Sequence, residues 1–255
     1  MRLATLLSAA ALRAVTCSAT EPESLLVAAA TSCPHDTPAV RMLAPQAANE
    51  IAVAGAVEIR ATVAEFLERF RDIKTFKRSA EVAAIGFVRE LPFPEQQAIQ
   101  AKSARFQRSL AVREIASSAE FLREHAPPLI SVLNGSPHEP AVEQFTYWSR
   151  EKLLSKPVLT VTEASIFHDR LNKRAFILTR QLFAEAHFEA SLGITALFET
   201  PRGVCLVYLN RSRSAFFSGP LGGMRKSVAR AFLLPVMERK LIETRSRFEL
   251  VAAIR

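Results

Sequence analysis

Ile51, Val53, Val57 and Ile59 recur at even spacing between Asn49 and Ala61, with small or charged residues between them. That is the period of a half-buried strand. A short apolar stretch at 39–43 precedes it, and 44–48, with Pro45, supplies the turn of an opening hairpin. Thr62 followed by Glu65 has capping-box spacing, and Val63, Phe66, Leu67 and Phe70 then share one helical stripe. After a basic segment at 73–80, Val82 to Val88 has the apolar density of a second strand. From 92 to 126 strand periodicity is absent. Pro94 opens one helix, Ile115 to Arg123 forms another, and Pro127-Pro128 ends it. The spacing predicts a further amphipathic helix over Ala141–Leu154, carrying the only Trp.

From Pro157 the pattern changes. Val158–His168, Ala175–Ser191, Gly193–Glu199 and Val204–Arg213 are rich in strand formers and separated by short turns, which predicts an antiparallel meander. After the glycine-rich 218–223 comes one long helix. Met224, Val228, Ala231, Phe232, Val236, Ile242 and Phe248 recur along it and are expected to face the sheet, with a kink at Pro235. The expected fold class is α+β: an antiparallel sheet closed by a C-terminal helix.

Hydrophobic residues make up 49% of the chain and charged residues 23%, so it is neither disordered nor fibrous. No apolar run approaches the roughly 18 residues of a membrane-spanning helix. The net charge is +8, and residues 205–255 hold ten Arg/Lys against three Glu, a net +7. A localised basic face can attract the anionic lipid of a membrane surface, nucleic acid or an acidic partner, and its plainer reading is a solvated helix face. No nucleic-acid partner is expected. Met1-Arg2 followed by the mostly apolar 3–12 resembles an export signal. This predicts a signal-like, poorly ordered leader over 1–38 and a periplasmic or secreted protein. The alternative is a cytoplasmic protein with a plain leader. The cysteines, Cys17, Cys33 and Cys205, form no C-x-x-C pair, which excludes a zinc ribbon or thioredoxin-type site. Cys205 is expected as a small core residue and Cys33 has no obvious partner.

Three constellations carry potential chemistry. Glu185-Ala-His187-Phe-Glu189, if on one strand, puts two carboxylates and an imidazole on one face, in line with Phe183 and Ser191. Residues two apart on a strand lie roughly 6–7 Å apart, which is loose for one metal ion. Tyr208-Leu-Asn-Arg211-Ser-Arg213 puts two arginines on one strand face, able to grip a carboxylate or phosphate or to protect a sheet edge. Gly219 to Lys226 opens the last helix but lacks P-loop spacing. With no nucleophile elbow, H-E-x-x-H or dinucleotide fingerprint, no cofactor and no metal are expected.

The stretch Gly55-Ala-Val-Glu-Ile-Arg-Ala-Thr-Val-Ala-Glu-Phe-Leu-Glu-Arg-Phe-Arg-Asp-Ile73 resembles the first strand and helix of the START-like (SRPBCC, helix-grip) superfamily. The segments 145–152, 156–162, 187–195, 208–213 and 219–226 are similar to those of a group of exported bacterial proteins. The resemblance implies a single domain over 39–255, with a helical insert at about 92–154. In it a curved sheet wraps around the C-terminal helix over an apolar cavity. It implies non-catalytic binding of a small apolar or amphipathic molecule, with Phe183, His187, Tyr208, Arg211, Arg213, Met224, Val228 and Phe232 as the lining residues. Two readings stand beside it: a cyclase- or hydrolase-type enzyme using Glu185, His187 and Glu189, and a peripheral protein using the basic helix.

Overall fold

The computed structural model describes residues 33–107, 120–135, 139–153, 156–185 and 188–252. The strands are β1 (Ala39–Met42), β2 (Glu50–Ile59), β3 (Val82–Phe87), β4 (Val142–Leu153), β5 (Lys156–Asp169), β6 (Arg174–Ala184), β7 (Phe188–Thr200) and β8 (Gly203–Ser214). The helices are α1 (Val63–Arg71), α2 (Ile73–Phe76), α3 (Phe93–Gln107), α4 (Glu120–His125), α5 (Pro127–Leu133) and α6 (Gly222–Ala252). No described helix is long and apolar enough to cross a membrane.

The strands form one curved, open, antiparallel sheet in the order β1-β2-β8-β7-β6-β5-β4-β3. From β3 to β8 it is a meander; only β2 reaches across the sequence, pairing with β8 from Glu50↔Arg213 to Ile59↔Val204. Gly203, at φ +148°, allows the turn between β7 and β8, where a Cβ would strike the carbonyl of Ile59. Thr62 and Glu65 do form the expected capping box at the start of α1.

Both faces of the sheet are covered. The inner face packs Val57, Ile59, Ile166, Ile177, Leu197 and Leu206 against Phe66, Leu67 and Phe70 of α1 and Leu241 and Phe248 of α6. On the outer face, Ala54, Phe176, Leu178, Ile194 and Val207 pack against Phe121, Leu122 and Leu129 of α4 and α5. α6 is pinned along β2 at two places. Lys226 Nζ donates to the Ala48 carbonyl at 2.6 Å, and Leu241 lies on Gly55. The helical stretch between those anchors spans about 22 Å and the strand stretch about 23 Å, so helix and strand run side by side in the same direction.

Several expectations are corrected. Residues 142–153 form a strand, not an amphipathic helix: Phe145, Tyr147, Ser149 and Glu151 alternate with outward residues, and the whole segment pairs with β5. The aromatic and β-branched run Phe145-Thr-Tyr-Trp148 suits a pleated surface, and the ladder decides over the helical spacing. Pro127 begins α5 as well as following α4. The long strand expected over 175–191 is two strands, β6 and β7. Cys205 is not a free core thiol: it is disulfide-bonded to Cys33, across a Cα–Cα distance of 5.7 Å. The end of the expected leader is therefore tied to the domain. Pro34 accepts the Glu58 amide and Arg245 Nη1 donates to the carbonyls of His35 and Asp36. The signal-like residues 1–32 lie outside the described residues.

Candidate functional site

The inner face of the sheet changes character along its strands. Towards Ile59, Val204 and Ala175 it is apolar and sealed by α1. Towards the opposite end the inward positions are polar: Tyr208, Asn210 and Ser212 on β8, Ser191 on β7, Thr179 and Gln181 on β6, Thr160 on β5, Ser149 and Glu151 on β4. Most of these are half-buried. Strand alternation does this directly, since every second residue of each strand lies on the inner face.

The polar floor is partly self-satisfied. Ser191 Oγ and Ser212 Oγ lie 2.9 Å apart, Ser212 donates to Asn210 Oδ1 at 2.8 Å, and Asn210 Nδ2 donates to Ser191 Oγ at 3.3 Å. Thr179 Oγ1 donates to the Gly193 carbonyl at 3.3 Å. Gly193 is required here, because a Cβ would meet Thr179 Oγ1 and stand 3.2 Å from the Tyr208 hydroxyl. Gln181 Oε1 is buried with no hydrogen-bond partner among the described residues, so a donor from a guest would satisfy it. Burial raises the Tyr208 pKa, so its hydroxyl stays protonated and can donate.

At the β4 side a charged pair closes the floor. Lys77 Nζ lies 2.6 Å from Glu151 Oε1 and 5.2 Å from the Tyr147 ring centroid. Ser149 Oγ donates to the same carboxylate oxygen at 2.7 Å and contacts Thr160 Oγ1 at 3.0 Å. Burial pulls the Lys77 pKa down, but Tyr147 and Glu151 more than offset it and raise it above the ordinary lysine value. For Glu151 burial acts upward, and the charge and hydrogen bond of Lys77 carry it below the ordinary carboxylate value. Both groups are therefore ionised at neutral pH.

The expected site residues scatter. Tyr208 stands on the inner face, as required. Phe183 lies against α3, under Lys102, whose Nζ is 5.2 Å from its ring centroid. Arg211 and Arg213 face outward with the Cys205–Val207–Leu209 side of β8, where Arg211 Nη1 sits 2.5 Å from Glu50 Oε1 and Arg213 Nε 3.1 Å from Glu50 Oε2. That fully buried carboxylate engages both guanidiniums. Met224, Val228 and Phe232 are on the solvent side of α6, 53–64% exposed. The chain turns between β6 and β7, so Glu185 and Glu189 do not share a strand face. Glu185 accepts from the Leu159 amide at 3.2 Å, and Glu189, in a β7 bulge, accepts from Asn49 Nδ2 at 2.7 Å. His187 lies outside the described residues. His168 pairs with Ala175 while Thr160 pairs with Ala184, so His168 stands roughly 26 Å from the turn and joins no site there.

Lys77, Glu151 and Gln181 were not singled out by sequence. Once 142–153 is a strand, the alternation Tyr147, Ser149, Glu151 marks the inner face; the partner Lys77 has no signal beyond its place in a basic segment.

By structure, the chain is similar to the STAR-related lipid transfer protein (fragment 25–204) of Xanthomonas axonopodis, with a TM-score of 0.51 and 11% identity over 86% of this chain and 97% of that one. The fold is START-like. A Thermus thermophilus protein superposes at a TM-score of 0.44 with 12% identity, over 79% of this chain and 98% of that one. The lipid transfer and protein localization domain of human StarD13 superposes at 0.45 with 8% identity, over 89% of this chain and 95% of that one. No family model matches the chain, and no curated protein matches it by sequence. In this chain α4 and α5 pack on the outer face of the sheet.

Proposed function

We propose that the protein binds a small amphipathic, lipid-like molecule between the inner face of the sheet and α6, without chemical turnover. The observation that carries this reading is the division of that face into an apolar end and a half-buried hydrogen-bonding end beneath one helix. An apolar guest alone leaves Gln181 Oε1 without a partner; a wholly polar one finds no match at the apolar end. The name of the Xanthomonas protein, a STAR-related lipid transfer protein, agrees with such a guest. Of the residues expected to line the site, Tyr208 remains, joined by Gln181, Ser191, Asn210 and Ser212. A periplasmic or secreted location belongs to the same proposal. The Cys33–Cys205 disulfide suits an oxidising compartment, and the signal-like start suits export.

Native mass spectrometry of the purified chain, before and after delipidation, tests the binding. The expected result is a retained mass, removable and restored one-to-one by a fatty acid, a lysophospholipid or a sterol. A delipidated protein that takes up none of the three overturns the reading.

A further inference from the structure

Among the described residues, every arginine and lysine of α6 but one has a partner. Arg225 donates to the Phe216 carbonyl and Lys226 to that of Ala48. Arg239 and Lys240 reach Glu81. Arg245 and Arg247 donate to the backbone carbonyls of His35 and Phe76. Arg230 is the exception. Its Nε is buried with no hydrogen-bond partner among the described residues. A cation in open water needs no partner from the protein, but a buried N–H does.

Arg230 recurs with Lys226, Met237, Leu241 and Phe248 at spacings of four and seven residues, so it lies on the side of α6 that meets the sheet. It stands one turn past Lys226, about 6 Å along the helix, or about two residues along the strand beneath. Counted from Ala48, that is level with Glu50 and Ile51 at the start of β2. Ile51 is the inward one of the two, and it pairs with Ser212, which pairs with Ser191. Arg230 thus belongs to the polar end of the inner face. Ser212 gives its proton to Asn210, and Ser191 accepts from Asn210, which leaves the Ser191 proton for Ser212 Oγ or for a guest. The carboxylates at this end are engaged elsewhere, Glu151 by Lys77 and Glu189 by Asn49.

We infer that Arg230 receives the anionic head group of the guest, a carboxylate or a phosphate, while the acyl chain of the guest lies along the apolar end of the same face. A guanidinium fork fits either anion, and charge-assisted hydrogen bonds are the strong ones. The inference rests on the reading of the grip as a lipid site and names the class of head group that the site takes.

Isothermal titration of the delipidated full chain with three lipids of one acyl chain length tests it: the fatty acid, the lysophosphatidic acid and the uncharged monoacylglycerol. At least one of the two anions should bind roughly tenfold more tightly than the monoacylglycerol. Which anion does so tells a carboxylate site from a phosphate site. Arg230→Gln should abolish that preference and leave monoacylglycerol binding and the thermal midpoint unchanged, since no described partner is lost with the charge. Arg230→Lys should keep part of the preference. A monoacylglycerol that binds as tightly as both anions overturns the inference, and so does an Arg230→Gln variant that weakens all three lipids equally. In both cases the grip still stands as a lipid site. Wild type that binds none of the three also overturns the inference, and if the same sample takes up no sterol, the reading of the grip falls with it.

Discussion

Leu241 of α6 places its Cδ1 2.6 Å from the point where a Cβ on Gly55 would stand. The helix therefore approaches β2 only because residue 55 has no side chain. The Ala39 carbonyl, 3.2 Å from the same point, blocks escape towards β1. Gly55→Ala must push Leu241 out of a site where it is buried, and overpacking of this kind costs about 1–3 kcal/mol. Urea denaturation of Gly55→Ala should show a lower midpoint at unchanged slope. Leu241→Ala in the Gly55→Ala background should cost less than the two single changes added together, because the contact that clashes is gone.

The Lys77–Glu151 pair closes one side of the polar floor, and its side chains are 27% and 21% exposed. Removing one partner strands the other in a mostly buried site, so Lys77→Met or Glu151→Gln should each cost about 1–3 kcal/mol, below the cost at a fully buried pair. The double variant should recover part of the loss. Because Glu151 has a depressed pKa, its stabilising effect is complete above the ordinary carboxylate value of 4.5 and is lost as pH falls through the lower folded value. Lys77 has a raised pKa, so its effect is complete below the ordinary lysine value of 10.5 and is lost only in stronger alkali. Wild type minus Glu151→Gln should thus show a stability difference that is flat from roughly pH 5 to 10 and shrinks at the acid end.

Glu50 is fully buried, and Arg211 and Arg213 both bind its carboxylate. Glu50→Gln removes the charge that two buried guanidiniums share and should cost about 3–5 kcal/mol. It should leave guest binding in any protein that remains folded unchanged, since this cluster lies on the outer side of β8. A guest affinity that falls with Glu50→Gln, measured under conditions where the variant is folded, would place the arginines in the site after all.

Much of this fold was legible in the chain. Strand alternation at Ile51–Ile59, the capping box at Thr62 and the closely spaced strands after Pro157 predicted an antiparallel sheet with a helix behind its early strand, the START-like resemblance implied the helix-grip arrangement, and these elements are present. Local spacing failed where tertiary pairing decides. Residues 142–153 have a helical stripe but are held as a strand by β5, and Ala184-Glu-Ala-His187 has no Gly, Pro or Asn to announce a turn. The site suffered most from a question of side. Period tells which residues share a face, and not which face is covered. Met224, Val228 and Phe232 are a true helical stripe, yet the other side of α6 also is apolar and takes the sheet. Arg211 and Arg213 share the face opposite Tyr208, as alternation requires, and that face is the outer one, where Glu50 holds both.

The Cys33–Cys205 bond spans a sequence separation of 172 residues. Loop-closure entropy for so long a span sets a ceiling near ~5 kcal/mol, and natural bridges deliver about 2–4 kcal/mol. Cys33→Ser with Cys205→Ser should lower stability by that amount, and dithiothreitol should do the same to wild type while leaving the double variant unaffected. The bond also anchors residues 33–38, so limited proteolysis of the double variant should cut there first.

The polar floor can be separated from the apolar end by what each does to different guests. Asn210 links Ser191 and Ser212 and faces α6 with one half-buried amide. Asn210→Leu keeps a similar side-chain shape and removes the group that orders the floor. A guest with a hydroxyl or carboxyl head then loses a buried partner, worth about 1–1.5 kcal/mol, or roughly tenfold in Kd. A plain hydrocarbon guest gains a more apolar wall and should bind as well or slightly better. Isothermal titration of both guests against wild type and Asn210→Leu therefore yields a ratio in which any general damage to the fold cancels. A ratio that does not change means that the head group does not reach Asn210, and that the amphipathic character assigned to the guest is wrong even if a guest binds.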